Sequence, residues 1–171
     1  VKRALDAGAA GIIAPRVSSA EVCEDIVRFA KFPPDGVRGI GVSRANQYGN
    51  NIESYLSDAN GGVSVVIQIE DKAGVDNLEN ILEVAGLDSV FVGPYDLSAS
   101  IGRTGDLTHP EVQALIDQVR KKCLEVDKPV GIFEPDIEAA RKRIEQGFSL
   151  ITISTDISCI IRQTKTILQS I

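Results

Sequence analysis

Five short apolar runs, each followed by a stretch with helical spacing, divide this chain into repeated strand-then-helix units. The runs are Ala10-Gly11-Ile12-Ile13-Ala14, Val63 to Ile69, Ser89 to Val92, Val130-Gly131-Ile132-Phe133 and Leu150-Ile151-Thr152-Ile153. They are rich in β-branched residues and nearly unbroken in hydrophobicity, as strands of a buried parallel sheet are. A helix between successive strands returns the chain so that the next strand runs parallel. The architecture is therefore α/β, either a doubly wound open sheet or a (β/α)8 barrel. A complete barrel takes about 250 residues; the 171 residues here fall short by close to three units. Val1-Lys2-Arg3-Ala4-Leu5-Asp6-Ala7-Gly8 looks like the last turns of a helix, and the chain has no methionine, so an upstream part is expected.

The helices carry their own signals. Ser18-Ser19-Ala20-Glu21 has the spacing of a capping box, and Val22, Ile26, Phe29 and Ala30 recur at helical spacing until Pro33-Pro34. Pro110 suits a first turn whose inward stripe would be Val112, Leu115, Ile116, Val119, Cys123 and Val126. Asp136 is placed to cap a helix with Ile137, Ala140 and Ile144 that ends at Gly147. The last helix would bury Ile160, Ile161, Thr164, Ile167, Leu168 and Ile171. The one long connection, Pro15 to Gly62, holds Phe32-Pro33-Pro34-Asp35-Gly36-Val37-Arg38-Gly39-Ile40-Gly41, and a loop of that kind is usually functional or a subunit contact.

With 43% hydrophobic residues the chain reads as one domain, 1–171, with no second domain. A net charge of −6 with scattered charges disfavours a polyanionic partner, and no apolar run is long enough for a membrane span; neither nucleic acid nor membrane is expected as a partner. Cys23, Cys123 and Cys159 are odd in number and far apart, which fits reduced core thiols in a cytoplasmic protein better than disulfides.

Two of the strands end in acids. Glu70 finishes Gln68-Ile69-Glu70, and Asp96 lies in Gly93-Pro94-Tyr95-Asp96-Leu97-Ser98. Two carboxylates converging on one rim of a parallel sheet match a site for a hard divalent cation, which keeps other positions for water or substrate. Each acid is equally placed to cap a helix: Glu70 the one beginning near Asp71, Asp96 the turn ahead of Leu97.

The string Leu5-Asp6-Ala7-Gly8, the segment Phe32-Pro33-Pro34 through Arg38-Gly39 with Ser43-Arg44-Ala45, then Gln68-Ile69-Glu70, Gly93 to Ser98 and Thr155-Asp156 resemble the HpcH/HpaI aldolase family in order and spacing. The resemblance covers nearly the whole chain and implies a TIM (β/α)8 barrel from its fourth strand onward, about the C-terminal two thirds. It implies a cytoplasmic, metal-dependent class II aldolase, a carbon-carbon lyase. Such an enzyme cleaves or forms a 4-hydroxy-2-oxo acid from pyruvate and an aldehyde through a metal-stabilised enolate. Glu70 and Asp96 would hold the metal, Mg²⁺, Mn²⁺ or Co²⁺. Gln68, Gly93, Pro94, Tyr95 and Asp96 would contact substrate, the Tyr95 and Asp96 N–H groups holding the pyruvate carboxylate, and Phe133 would line the aldehyde pocket. Assembly as a homo-oligomer, a hexamer with exchanged terminal helices, is also implied.

The family's proton-transfer histidine and charge-stabilising arginine would precede Val1. Of that half, Asp6 would orient the histidine. His109, the one histidine, sits beside a helix start in Thr108-His109-Pro110-Glu111 and reads as structural. Arg16, Arg38 and Arg44 are given no catalytic role. The alternatives are a thioester lyase of the citrate lyase β or malyl-CoA lyase type, and a catalytically incomplete structural fragment whose open sheet edges seek partners.

Overall fold

The computed structural model describes residues 1–171. Its strands are β1 (Gly11–Ala14), β2 (Ser64–Ile69), β3 (Ser89–Val92), β4 (Val130–Glu134) and β5 (Leu150–Ile153). The helices are α1 (Lys2–Asp6), α2 (Ala20–Ala30), α3 (Ile52–Gly62), α4 (Lys72–Asp76), α5 (Leu78–Leu82), α6 (Pro94–Ser100), α7 (Pro110–Glu125), α8 (Ile137–Glu145) and α9 (Asp156–Gln169). A 3₁₀ segment, Arg44–Gly49, precedes α3.

All neighbouring strands pair in parallel, in the order β1-β2-β3-β4-β5. A doubly wound sheet reverses its strand order partway; here each new strand is laid on the same side of the last. That is the winding of a (β/α)8 barrel, so the fold is an arc of five barrel units with free edges at β1 and β5.

Alternation along the strands sorts the side chains. Val65, Ile67, Ile69, Val90, Val92, Val130 and Ile132 face the helices and are fully or almost fully buried with Leu78, Ile81, Leu97, Ile116 and Val119. Each such aliphatic side chain contributes about 1.5–3 kcal/mol through burial, so the core lies between sheet and helices. The opposite set, Ile13, Gln68, Phe91, Phe133 and Thr152, faces the concave side. Gly131 on that side makes room for its neighbour: a Cβ there would come within 2.8 Å of Phe91 Cδ2 and 2.7 Å of Leu150 O.

The helix stripes depart from expectation in places. In α2 the buried residues are Cys23, Val27 and Ala30, whereas Val22 and Phe29 are exposed. The helix starts one residue later than the capping-box spacing implied. Ser19 is the N-cap and accepts from Val22 N–H, which leaves Ser18 for another partner. In α7 the expected Val112, Ile116, Val119 and Cys123 are buried, but Val126 is exposed. Asp136 caps α8 by accepting from Ala139 N–H at 2.9 Å; Ile137 and Ile144 face solvent and only Ala140 is buried. The largest departure is α9, which buries none of its residues. It follows an edge strand that is itself largely exposed, so its apolar stripe has no packed layer to enter.

Cys23 and Cys123 are buried and free, and burial pushes their thiols up to about 11 and about 12, the state of inert core thiols. Cys159 is also free but exposed on α9, not in the core as expected. No helix is long and apolar enough to cross a membrane.

Candidate metal and substrate site

The C-terminal ends of the strands open onto a cleft of about 520 Å³. All six residues expected to meet substrate line it: Gln68, Gly93, Pro94, Tyr95, Asp96 and Phe133. Ile13, Pro15, Phe91 and Thr152 complete the wall, so every strand contributes to one pocket. The mixture is a mainly apolar wall from β1, β4 and β5 with a polar corner where β2 and β3 end.

Glu70 lies just behind that corner, joined to it through the Gln68 amide, and is 7% exposed. It does not cap a helix. Its Oε1 accepts from the main-chain N–H of Arg16 at 2.9 Å, and its Oε2 accepts from the Gln68 side-chain amide. The capping of α4 falls to Asp71, whose Oδ1 accepts from Gly74 N–H at 2.6 Å. Burial, and next to it the negative charge of Asp96, push the Glu70 carboxyl above its ordinary value; the Arg16 and Gln68 hydrogen bonds oppose the rise.

Asp96 lies in the first turn of α6, whose N-cap is Gly93 and whose start has no side-chain cap. Pro94 begins that helix, at the position where a missing N–H costs nothing. The first-turn N–H groups of any helix lack intrahelical acceptors, so those of Tyr95 and Asp96 are available at the cleft wall. The Tyr95 ring, half exposed, meets Phe133 across the cleft with centroids 6.2 Å apart and planes inclined by 56°.

The donor set suits a hard divalent cation. Two carboxylates lie close enough for one to disfavour ionisation of the other, and a cation between them removes that repulsion. No group of three or more His, Cys, Asp and Glu residues gathers anywhere in the chain. The arrangement is thus the two-carboxylate kind that leaves coordination positions to water and substrate.

The remaining expected residues are placed elsewhere. Asp6 ends α1, five residues before β1, at the N-terminal rim of the sheet; Glu70 is at the other end of the strands. Its Oδ2 meets Lys2 Nζ at 2.6 Å and its Oδ1 meets Arg38 Nη2 at 2.9 Å. The Arg38 side chain is fully buried. It stacks on Phe32 with Cζ 4.5 Å from the ring centroid and donates from Nη2 to Tyr55 Oη at 3.0 Å. Burial raises the Asp6 carboxyl, but the hydrogen bonds and charges of Lys2 and Arg38 outweigh it and hold the group below 3.8. His109 is the N-cap of α7, its Nδ1 accepting from Glu111 N–H, and does not line the cleft.

Sequence reasoning missed the loop after β1. Val17 N–H donates to Gln68 O, Ser18 Oγ donates to Asp71 Oδ2 at 2.7 Å, and Asn77 Nδ2 donates to Ser18 O. These bonds tie the loop to the end of β2. The Ser18-Ser19 pair was the available signal: one hydroxyl caps α2 and the other is left to cross to the next unit.

A profile of the family described as HpcH/HpaI aldolase/citrate lyase matches residues 1–162. The chain is 38% identical over 158 residues to the 5-keto-4-deoxy-D-glucarate aldolase of Klebsiella pneumoniae, an alignment covering 92% of this chain and 61% of that protein. It is 37% identical over 167 residues to the hydroxypyruvate/pyruvate aldolase of Pseudomonas aeruginosa, covering 96% and 62%. The crystal structure of an HpcH/HpaI aldolase/citrate lyase family protein from Burkholderia cenocepacia superposes with a TM-score of 0.95 at 41% identity, over 99% of this chain and 67% of that one. The chain spans about three fifths of the length of the two aldolases. With a five-unit barrel arc, a rim cleft lined by Asp96 with Glu70 behind it and a profile match across 1–162, the chain belongs to the HpcH/HpaI aldolase/citrate lyase family.

Proposed function

We propose that the protein is a divalent-metal-dependent aldolase that cleaves or forms the carbon-carbon bond between a pyruvate unit and an aldehyde. The observation that supports this reading is Glu70 held at the end of β2 behind Gln68 and Gly93, both of which line the cleft together with Asp96. Glu70 and Asp96 would hold Mg²⁺, Mn²⁺ or Co²⁺. When bound, the cation supplies Lewis acidity toward the oxygens of a 2-oxo acid.

The chain's own residues divide the remaining work. The Gln68 amide steadies Glu70 and faces the cleft, where it contacts substrate. The N–H groups of Tyr95 and Asp96 hold the carboxylate of the pyruvate unit, an anion at a helix start. Phe133 and Tyr95 form an aromatic wall for the aldehyde. The 5-keto-4-deoxy-D-glucarate and hydroxypyruvate/pyruvate aldolases named above support the reaction class over a thioester lyase. For Asp6 we keep the orienting role that the resemblance implies, toward a histidine from outside these 171 residues; within the chain its carboxylate is engaged by Lys2 and Arg38.

A homo-oligomer, with the hexamer implied by the resemblance, is supported by the exposed Ile157, Ile160 and Leu168 of α9. A cytoplasmic setting is supported by three free cysteines. The test of the central reading is exchange of the pyruvate methyl protons with deuterated water, with and without Mn²⁺. The full-length wild-type protein, with the residues that precede Val1, should exchange only with the metal, and Glu70→Ala and Asp96→Ala should each abolish it; undiminished exchange in both variants refutes the metal assignment.

A further inference from the structure

Glu70 owes one of its two hydrogen bonds to the main chain of another barrel unit. Arg16, just past β1, has φ +59°, the left-handed region that residues other than glycine, asparagine and aspartate seldom enter. The turn sits between two anchors. Pro15 before it lines the cleft, and Val17 after it is 1% exposed and donates its N–H to Gln68 O at 3.2 Å.

Successive amides therefore reach the same neighbouring strand end. Arg16 N–H goes to Glu70 Oε1 and Val17 N–H to Gln68 O, while Ser18 Oγ goes on to Asp71. The guanidinium makes no hydrogen bond and no ion pair, so the contact with Glu70 is made by the backbone. Strained conformations of this kind persist where the surroundings fix them and tend to mark functional sites. A fixed donor on a ligand's second oxygen sets how its first oxygen is presented.

We propose that Arg16 is a positioning residue for Glu70: its main-chain N–H, presented by the left-handed turn after β1, holds the carboxylate in the orientation that a divalent cation requires. This rests on the metal-binding reading of Glu70 given above. Side-chain identity at position 16 matters through the φ it permits; the guanidinium acts on Glu70 through its charge, without touching it.

The experiment is a titration of the purified full-length protein with Mn²⁺ alone, followed by electron paramagnetic resonance of the free ion. Arg16→Gly keeps the N–H and favours positive φ, so its affinity should match wild type. Arg16→Val keeps the N–H but resists the left-handed region, and Arg16→Pro removes the N–H altogether. Both should weaken binding about 10- to 100-fold, with Glu70→Ala as the reference for complete loss. Wild-type affinity in Arg16→Val and Arg16→Pro overturns the proposal, as does an Arg16→Gly as weak as the other two. If Glu70→Ala binds Mn²⁺ like wild type, the metal reading itself fails. Crystal structures of metal-free Arg16→Gly and Arg16→Val give a readout without the ion: the N–H contact to Oε1 should persist in the first and be lost in the second, and an unchanged Glu70 contact in both refutes the positioning role. Should Arg16→Pro not fold, the Gly and Val pair decides.

Discussion

Gly93 is packed directly against Glu70. A Cβ at position 93 would come within 2.8 Å of Glu70 Oε2, 2.9 Å of its Cβ and 2.5 Å of Gln68 Nε2. Gly93 has φ −98°, which any residue can adopt. The glycine is thus required by space and not by backbone geometry, and the strand end of β3 lies as close to the polar corner as an absent side chain allows.

Gly93→Ala is expected to displace both Gln68 and Glu70. The amide end of Gln68 can swing, but the Cβ of Glu70 moves only with its backbone. Overpacking of this sort costs about 1–3 kcal/mol, to be measured by chemical denaturation, and Mn²⁺ affinity should fall alongside it. An alanine variant with wild-type stability and affinity would show that the corner is looser than described.

Asp96→Asn should lower the titration midpoint of Glu70, because burial, the larger cause of the raised value, stays in place but the charge of Asp96 that adds to it is removed. The sign for stability follows. A carboxyl whose folded midpoint lies above its unfolded one binds the extra proton in the folded state. Its contribution is present at low pH and is lost as pH rises from 4.5 through the raised midpoint. Over that window the metal-free wild-type protein should lose more stability than Asp96→Asn. Carbon-13 NMR of the Glu70 carboxyl and denaturation at several pH values check the two statements.

Asp6→Ala removes the only anion hydrogen-bonded to the buried Arg38 guanidinium. Arg38 Nε and Nη1 already lack partners, so the variant leaves Nη2 with Tyr55 alone. A loss of about 1–3 kcal/mol in unfolding free energy is expected. In wild type this contribution belongs to a carboxyl held below 3.8. It is present above that pH and fades as pH falls through the lowered midpoint. Arg38→Lys should not be tolerated as a substitute, because the planar guanidinium stacks on Phe32 at 4.5 Å and a lysine cannot.

Phe133→Ala opens the aromatic wall opposite Tyr95. On the proposed reading it should raise KM for the aldehyde several-fold and leave the Mn²⁺-dependent exchange of pyruvate protons near wild type. Steady-state kinetics beside the exchange assay separate the two. Equal loss in both would place Phe133 at the polar end of the cleft.

The strands were legible because their runs of Val and Ile are bounded by turn residues and too short for helices; all five fall within a residue of their expected limits. Strand order was not legible from the runs alone, which serve a barrel or a doubly wound sheet; the family resemblance implied the barrel, and the pairing agrees with it. The α2 stripe misled because Val22, Cys23, Ile26, Val27 and Phe29 crowd two faces at once; only packing selects Cys23 and Val27. The α9 stripe was expected to be core and is not buried, because periodicity does not say whether a face is covered. Glu70 and Asp96 were visible as acids ending strands, with caps an equal reading until Asp71 was seen to take that task. The Arg16 amide left no trace, as a backbone donor is common to all residues but proline.

The sequential order of the strands has a consequence for how selectivity is inherited. The two carboxylates come from the second and third units of the arc, and Phe133, Thr152 and Ile13 come from the fourth, fifth and first. The polar corner and the apolar wall thus come from different units: substitutions at the ends of β1, β4 or β5 redraw the wall while the acids keep their seats. A lineage of such chains can reshape the cleft wall at those strand ends with the charged corner passed on intact.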